Sequence, residues 1–289
     1  MDGQVESGGP AHPRHLAGDT FVFESITNSG YIEGVLIDTG PDPEVYAGLP
    51  VSNVLITHGH ADHFSSAAAL RRAGARIIAP REEVSLVENP EVNIRGMFPW
   101  ALPSDEMVTK LFRGDGAKVD GYADEWNGAG IDVVPLPGHT LGHSGYLTAD
   151  GVLFTGDALY QRAMWKRHPL PYAIDPGLVA SSLSVIESLE FAWLVPGHGV
   201  PTTREEALLD IANHRARMDA ISVNLLAHLA EPLTTEQAVA ALSRDAGLSD
   251  NAAQYWLAVT TVKAYLSDLV RGGAAEFFVR DHAGWWRAV

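Results

Sequence analysis

The chain has 289 residues, 46% of them hydrophobic, a formal net charge of −16 and no cysteine. That length supports one large core with a smaller satellite. The missing cysteine excludes disulfides, thiolate ligands and a Cys nucleophile, leaving His and carboxylate as the strong metal ligands. The negative charge opposes extended nucleic acid as a partner, and no basic run offsets it. No uncharged apolar run of about 18 residues occurs, and the start has neither a basic nor an apolar leader, so the expectation is a cytoplasmic protein that does not cross a membrane.

Residues 1–17 are rich in Gly, Pro, Ser and His without periodicity and read as a flexible tail, whose His12 and His15 are discounted as ligands. Short β-rich runs follow at 20–24, 34–38 and 54–57, then an Ala- and Leu-rich helix at 64–73 stopped by Gly74, and a strand at 76–79. This is an α/β signature. Residues 82–127 break the rhythm with Pro90, Pro99, Pro103 and the aromatics Phe98, Trp100 and Trp126, and read as an insertion that forms a lid, a pocket wall or a surface excursion. Strands resume at 131–134, 151–155 and 192–195, with a helix over 177–189. Past Arg204 the texture is helical: 204–229, then 234–246 opened by Thr-Thr-Glu, then 250–271 ended by Gly272-Gly273. A β-hairpin closes the chain, so 204–289 reads as a smaller, winged-helix-like region. Tyr255, Trp256, Val259, Val262, Tyr265, Leu266 and Leu269 recur at helical spacing and are expected in a core.

The chemistry is concentrated in Thr57-His58-Gly59-His60-Ala61-Asp62-His63. At this chain's His and Asp content the H-x-H-x-D-H pattern arises by chance roughly once in a thousand such chains. Three more segments, each at a predicted strand end, add metal-type residues: Pro137-Gly-His139-Thr-Leu-Gly-His143, Phe154-Thr-Gly-Asp157 and Leu194-Val-Pro-Gly-His198. Burying so many His and Asp together is costly without a cation to compensate them.

With these four motifs in this order, residues 18–203 resemble the metallo-β-lactamase superfamily. The resemblance implies an α/β fold, an αββα sandwich with two facing sheets flanked by helices and metal ions at one edge between the sheets. It also implies ligands: His58, His60 and His143 for a first metal, Asp62, His63 and His198 for a second, and Asp157 bridging them. His139 resembles a position that supports a ligand, and is left out of that set. Asp38 resembles the acidic residue that supports the site, the alternative being a turn cap. Tyr160 stands where quorum-signal lactonases of this superfamily place a tyrosine that polarises the substrate carbonyl, the alternative being a pocket-lining aromatic.

Neutral imidazoles suit Zn²⁺ at about 2.0–2.1 Å, with Fe or Mn as other candidates. Two cations about 3.5–4 Å apart need a carboxylate and a shared water between them, and lower the pKa of that water from 15.7 towards about 7. The expected enzyme is therefore a dinuclear metal hydrolase in which hydroxide attacks a thioester, lactone or related ester of small-molecule size, with Asp62 handling protons and Tyr160 assisting. The alternatives from other classes are an endoribonuclease or phosphodiesterase and a mononuclear iron persulfide dioxygenase. The nuclease is disfavoured because 204–289 holds eight Arg or Lys against eleven Asp or Glu. That region is expected to pack on the pocket or to form a homodimer contact.

Overall fold

The computed structural model describes residues 13–108 and 114–289. Most of the expected tail, with His12, lies outside them. The first sheet has seven strands in sequential order: β1 (Arg14–Ala17), β2 (Thr20–Phe23), β3 (Ser29–Ile32), β4 (Val35–Ile37), β5 (Asn53–Leu55), β6 (Arg76–Ala79) and β7 (Gly121–Tyr122). It is antiparallel from β1 to β4 and parallel from β4 to β7. The second sheet runs in the order β12 (Thr202–Thr203), β11 (Trp193–Pro196), β10 (Val152–Gly156), β9 (Ser144–Thr148), β8 (Ile131–Pro135).

Period-two alternation in these strands builds two cores at once. Leu36, Val54, Ile77 and Ala79 point outward to Phe64, Ala67 and Leu70 of the short helices α1 (Ala61–Phe64) and α2 (Ala67–Arg72). Their neighbours Val35, Ile37, Leu55 and Ile78 point inward to Tyr146, Val152, Phe154 and Val195 of the second sheet. Leu153 and Leu194 face outward to Leu183 and Ile186 of α5 (Pro176–Ser188) and Ala207 and Ile211 of α6 (Arg204–His228). The layers are therefore helix, sheet, sheet, helix. Each fully buried Leu, Ile or Phe contributes roughly 1.5–3 kcal/mol by leaving water.

Several elements differ from expectation. Arg14–Ala17 pairs with β2, so ordered structure begins inside the segment read as tail, and His15 contacts the Gly18 carbonyl. The expected helix over 64–73 is two pieces, with His63 inside the first. Strands β3 and β9 escape the sequence pattern, because each carries a glycine and little apolar content. Those glycines permit close approach: a Cβ on Gly30 would stand 2.5 Å from the Phe154 ring, and one on Gly145 2.8 Å from the Phe154 carbonyl oxygen.

Residues 82–127, as far as they are described, are not one excursion. Val87 and Ala117 belong to the outer core of the first sheet and β7 extends that sheet. Helices α3 (Val84–Glu88) and α4 (Glu91–Met97) lie between them, and Ile94, Met97 and Phe98 pack against Ala253, Trp256 and Leu257 of α8 (Ala252–Arg271). Phe98 is thus buried, with its ring centroid 4.0 Å from that of Trp256, while Trp100 is 72% exposed.

The C-terminal region runs α6, β13 (Leu233–Thr234), α7 (Thr235–Ala246), α8, β14 (Ala275–Arg280), β15 (Ala283–Ala288), with sheet order β13-β15-β14. Thr234 caps α7 in a reciprocal box with Gln237, and Gly247 closes it in the left-handed region. Val259, Val262, Tyr265 and Leu266 of α8 are core residues, as their spacing requires. No helix among the described residues is long and apolar enough to cross a membrane.

Candidate metal centre

Every motif residue lies just past a strand end on one edge of the sandwich. His58, His60, Asp62 and His63 follow β5, His139 and His143 lie between β8 and β9, Asp157 follows β10, and His198 follows β11. The loops are tied to one another, since Ser144 donates its N–H to the Thr57 carbonyl and Gly197 to that of Gly156. A Cβ on Gly197 would sit 2.3 Å from a carboxylate oxygen of Asp157, so only glycine lets the last loop close on the centre.

Three groups of donors converge: His58, His60 and His139; His58, His63 and Asp157; Asp62, His63 and His198. His60 Nδ1 is 3.0 Å from His58 Nε2 and 2.9 Å from His139 Nε2. Tetrahedral ligands about 2.0–2.1 Å from a zinc ion stand about 3.3 Å apart, close to these separations. His63 Nε2 lies 3.4 Å from Asp157 Oδ1 and 3.8 Å from Asp62 Oδ2. His198 Nε2 lies 3.2 Å from Asp62 and 3.6 Å from Asp157. Asp157 also reaches His139 Nε2 at 3.6 Å, so this carboxylate faces both ends of the cluster.

Hydrogen bonds on the far side of the rings set which nitrogen faces inward. His63 Nδ1 donates to Asp38 at 2.7 Å, His58 Nδ1 to Thr57 Oγ1 at 3.0 Å, His139 Nδ1 to the Tyr172 carbonyl at 3.0 Å, and His198 Nδ1 to the Ile26 carbonyl. Four Nε2 atoms are left aimed into the centre. His63 Nε2 is buried without a hydrogen-bond partner, an orphan that fits a cation. Asp38 is therefore a supporting residue: its carboxylate also accepts the Thr57 N–H at 2.7 Å and hydroxyl at 2.8 Å. Its backbone is left-handed, at φ 54°, a conformation an Asp tolerates better than a β-branched residue.

His143, expected as a ligand, is absent from these three groups, and His139 stands in one of them. The His143 carbonyl accepts the Leu136 N–H, which holds it in the backbone pairing that leads into β9. Its Nε2 accepts the Asp157 N–H at 3.0 Å, so that lone pair is used, while its Nδ1 is buried without a hydrogen-bond partner. A Cβ on Gly156 would meet the Nε2 at 2.7 Å. His139, four residues earlier in the same loop, joins His58 and His60 in the first group. No local sequence signal separates the two histidines, because the bond that engages His143 comes from Asp157, 14 residues away. Sequence reasoning also missed Thr57, Tyr172 and Glu83. Glu83 is fully buried and spans two motif loops, accepting Gly59 N–H at 2.8 Å and Gly142 N–H at 2.7 Å.

Burial pushes His58 and His139 well below the ordinary imidazole range and His60 to about 4, so these rings are neutral and able to ligate. Burial also opposes charge on His63 and His198, but the carboxylates outweigh it. Asp38, Asp62 and Asp157 raise His63 well above its usual value, and Asp157 and Asp62 raise His198 to about 9. Asp62 and Asp157 are held low, despite burial, by His63 and His198. The pair of carboxylates thus demands positive charge.

The centre opens into a cavity of about 430 Å³. His60, Asp62, His139, Asp157 and His198 line it together with Tyr160 and side chains from α4 and α8. Tyr160 is buried in the wall, packed edge-on against His168 and His214. A larger groove of about 810 Å³ runs along β8, and neither Asp62 nor Asp157 lines it.

The profile of the metallo-beta-lactamase superfamily matches residues 22–198, more than half of the chain. A hydroxyacylglutathione hydrolase of Pseudomonas entomophila is 31% identical over 135 residues, 43% of this chain and 42% of that protein. The chain thus spans less than half the length of that curated relative. A probable metallo-hydrolase of Streptococcus pyogenes is 26% identical over 65% of this chain and 82% of its own length. Among solved structures, a metallo-beta-lactamase family protein of Thermus thermophilus has a TM-score of 0.69 at 20% identity, covering 90% of this chain and 93% of that one. A beta-lactamase domain protein of Burkholderia ambifaria has the same score and identity, covering 97% and 94%. Together with the layered fold and the His and Asp groups at its edge, the profile match makes this chain a member of the metallo-beta-lactamase superfamily.

Proposed function

We propose that this protein is a dinuclear metal hydrolase, zinc being the preferred ion, that cleaves a thioester, lactone or related ester. His58, His60 and His139 would hold one ion, Asp62, His63 and His198 the other, with Asp157 between. The observation that carries the reading is the set of inward-facing Nε2 atoms around the buried Asp157 and the half-buried Asp62, with His63 Nε2 lacking a hydrogen-bond partner. Bound divalent ions would lower the pKa of a coordinated water towards about 7 and polarise the scissile carbonyl.

The chain's own groups do the rest. Asp38, Thr57 and the carbonyls of Tyr172 and Ile26 fix ring orientation and tautomer. Asp62, steadied by the Thr27 hydroxyl at 3.1 Å, is placed to take the proton released on attack and return it to the leaving group. Tyr160 keeps its proton, since burial and then Asp157 raise its pKa, and it stands in the wall as a donor to the carbonyl oxygen. Residues 18–203 are assigned as the catalytic unit and 204–289 as a winged-helix-like unit that completes the cavity.

The test is metal content by elemental analysis on protein purified without added metal, beside turnover of a glutathione thioester, an acyl lactone, a phosphodiester and RNA. About two zinc per chain with thioester or lactone turnover supports the reading. One iron with oxygen consumption on a persulfide, or cleavage of RNA alone, replaces it.

A further inference from the structure

The wall of the 430 Å³ cavity is divided sharply by chemistry. Its floor holds the metal-type residues. Met97, Met164, Leu170, Leu248, Leu257 and Ala258 make an apolar surface above it, contributed by α4, the loop before α5 and the C-terminal region. The uncharged polar side chains are few, among them Asn93 and Gln254. Away from the floor, one lining residue carries permanent charge: Arg167. It is exposed at the rim and forms no ion pair among the described residues, although the chain has 36 acidic residues against 20 Lys and Arg. Arg71, Arg81, Arg162, Arg215 and Arg271 pair with carboxylates, whereas Arg72, Arg76, Arg217 and Arg244 form no ion pair among the described residues; of these unpaired arginines, Arg167 is the one that lines the cavity. A guanidinium left unpaired in so acidic a chain, beside an apolar cavity, is suited to an anion that arrives from outside.

We infer that the substrate is an ester or thioester whose non-reacting part is apolar and ends in one anionic group, and that Arg167 selects it by pairing with that anion. This rests on the hydrolase reading proposed above. Water adds across the carbonyl carbon and the leaving oxygen or sulfur, giving a carboxylic acid and an alcohol or thiol, with no other reactant. The apolar wall favours hydrocarbon over a peptide-like carrier bearing several charges, because buried polar groups need partners that this wall does not supply. A polynucleotide needs a row of cations along its backbone, and this cavity offers one. Arg167 adjoins His168, whose ring lies 6.4 Å from that of His198.

The experiment compares two acyl thioesters of N-acetylcysteamine, one with a plain octanoyl chain and one of equal length ending in a carboxylate, with lactoylglutathione and single-stranded RNA as further probes. The expected result is a kcat/KM for the carboxylate-ended chain about tenfold above octanoyl, the size of one charge-assisted contact. In Arg167→Gln the preference falls below about twofold through a rise in KM for the anionic substrate, and Arg167→Lys restores part of it. Leu257→Trp, which narrows the apolar wall, should depress turnover of both long chains relative to an acetyl thioester. Equal turnover of the two chains by the unaltered protein, or a preference that survives Arg167→Gln, overturns the assignment while leaving ester hydrolysis standing. Cleavage of RNA with no thioester turned over overturns both.

Discussion

The loops between residues 57 and 198 and the region from 204 onward contribute to the same cavity in opposite ways. The loops supply every donor in the three metal-type groups, each within a few residues of a strand end. The C-terminal region supplies no donor to those groups, yet α8 gives Leu257 and Ala258 to the wall. It also holds the 172–173 segment, through a hydrogen bond from Ala173 N–H to Thr261 Oγ1 at 3.4 Å. That segment presents the carbonyl to which His139 donates. Reactive groups are thus local to motifs, while shape and support come from far along the chain.

The largest contrast is expected at the two histidines of one loop. His139→Ala should lose metal from the His58 and His60 end, with a fall in affinity well beyond the roughly 10–100-fold that removal of a supporting group costs. His143→Ala should keep its metal and lose about 1–3 kcal/mol of stability, because the buried Asp157 N–H is left without its acceptor. Elemental analysis and thermal unfolding of the two variants separate these outcomes. Equal metal loss in both would sink the distinction.

A second test lies where the regions meet. His214 of α6 is buried against Tyr160 and Trp165, and burial lowers its pKa to about 4. The unfolded chain takes up this proton near pH 6.5, the folded one only near 4. Stability is therefore complete above pH 6.5 and falls with pH across that window, by about 1.4 kcal/mol per unit and about 3 kcal/mol in all. In His214→Asn, whose side-chain oxygen can still accept the Tyr160 N–H, the difference in denaturation free energy between pH 7 and pH 5 should shrink by about 2 kcal/mol. An unchanged difference would mean that the ring is protonated in the fold.

What could be read from the sequence follows the same division. The strand-ending motifs stood out because rare residue types cluster in them, and continuous apolar runs marked β4, β5, β6 and β10, which are buried on both faces. Strands β3 and β9 did not, since Gly30 and Gly145 serve contacts with Phe154 that lie far away in sequence. His139 and His143 share the same two-glycine loop, and only the bond that His143 accepts from Asp157 tells them apart. Glu83, Tyr172 and Thr261 carry no motif at all: their role exists only once the loops are folded together.

Glu83 ties the loops to one another. Its two oxygens join the His58 and His60 loop to that of His139, and burial raises its pKa against the pull of the two N–H donors. Glu83→Gln keeps the volume but turns an NH₂ towards one of those donors. One hydrogen bond should be lost, and metal affinity, read by competition with a chelator, should fall about tenfold. Unchanged affinity with a lowered Tm would make Glu83 a purely structural tie.

The smallest effect expected is at α8. Thr261 is fully buried, and its hydroxyl accepts the Ala173 N–H through a long bond. Thr261→Val preserves shape and removes the acceptor, for a cost of about 1 kcal/mol in chemical denaturation. If the C-terminal region acts on the centre through the 172–173 segment, metal affinity should fall with it, by about two- to fivefold, because the carbonyl that orients His139 is then less firmly held. A loss of stability with unaltered affinity would confine the region to walling the cavity, and the support of His139 would belong to the loops alone.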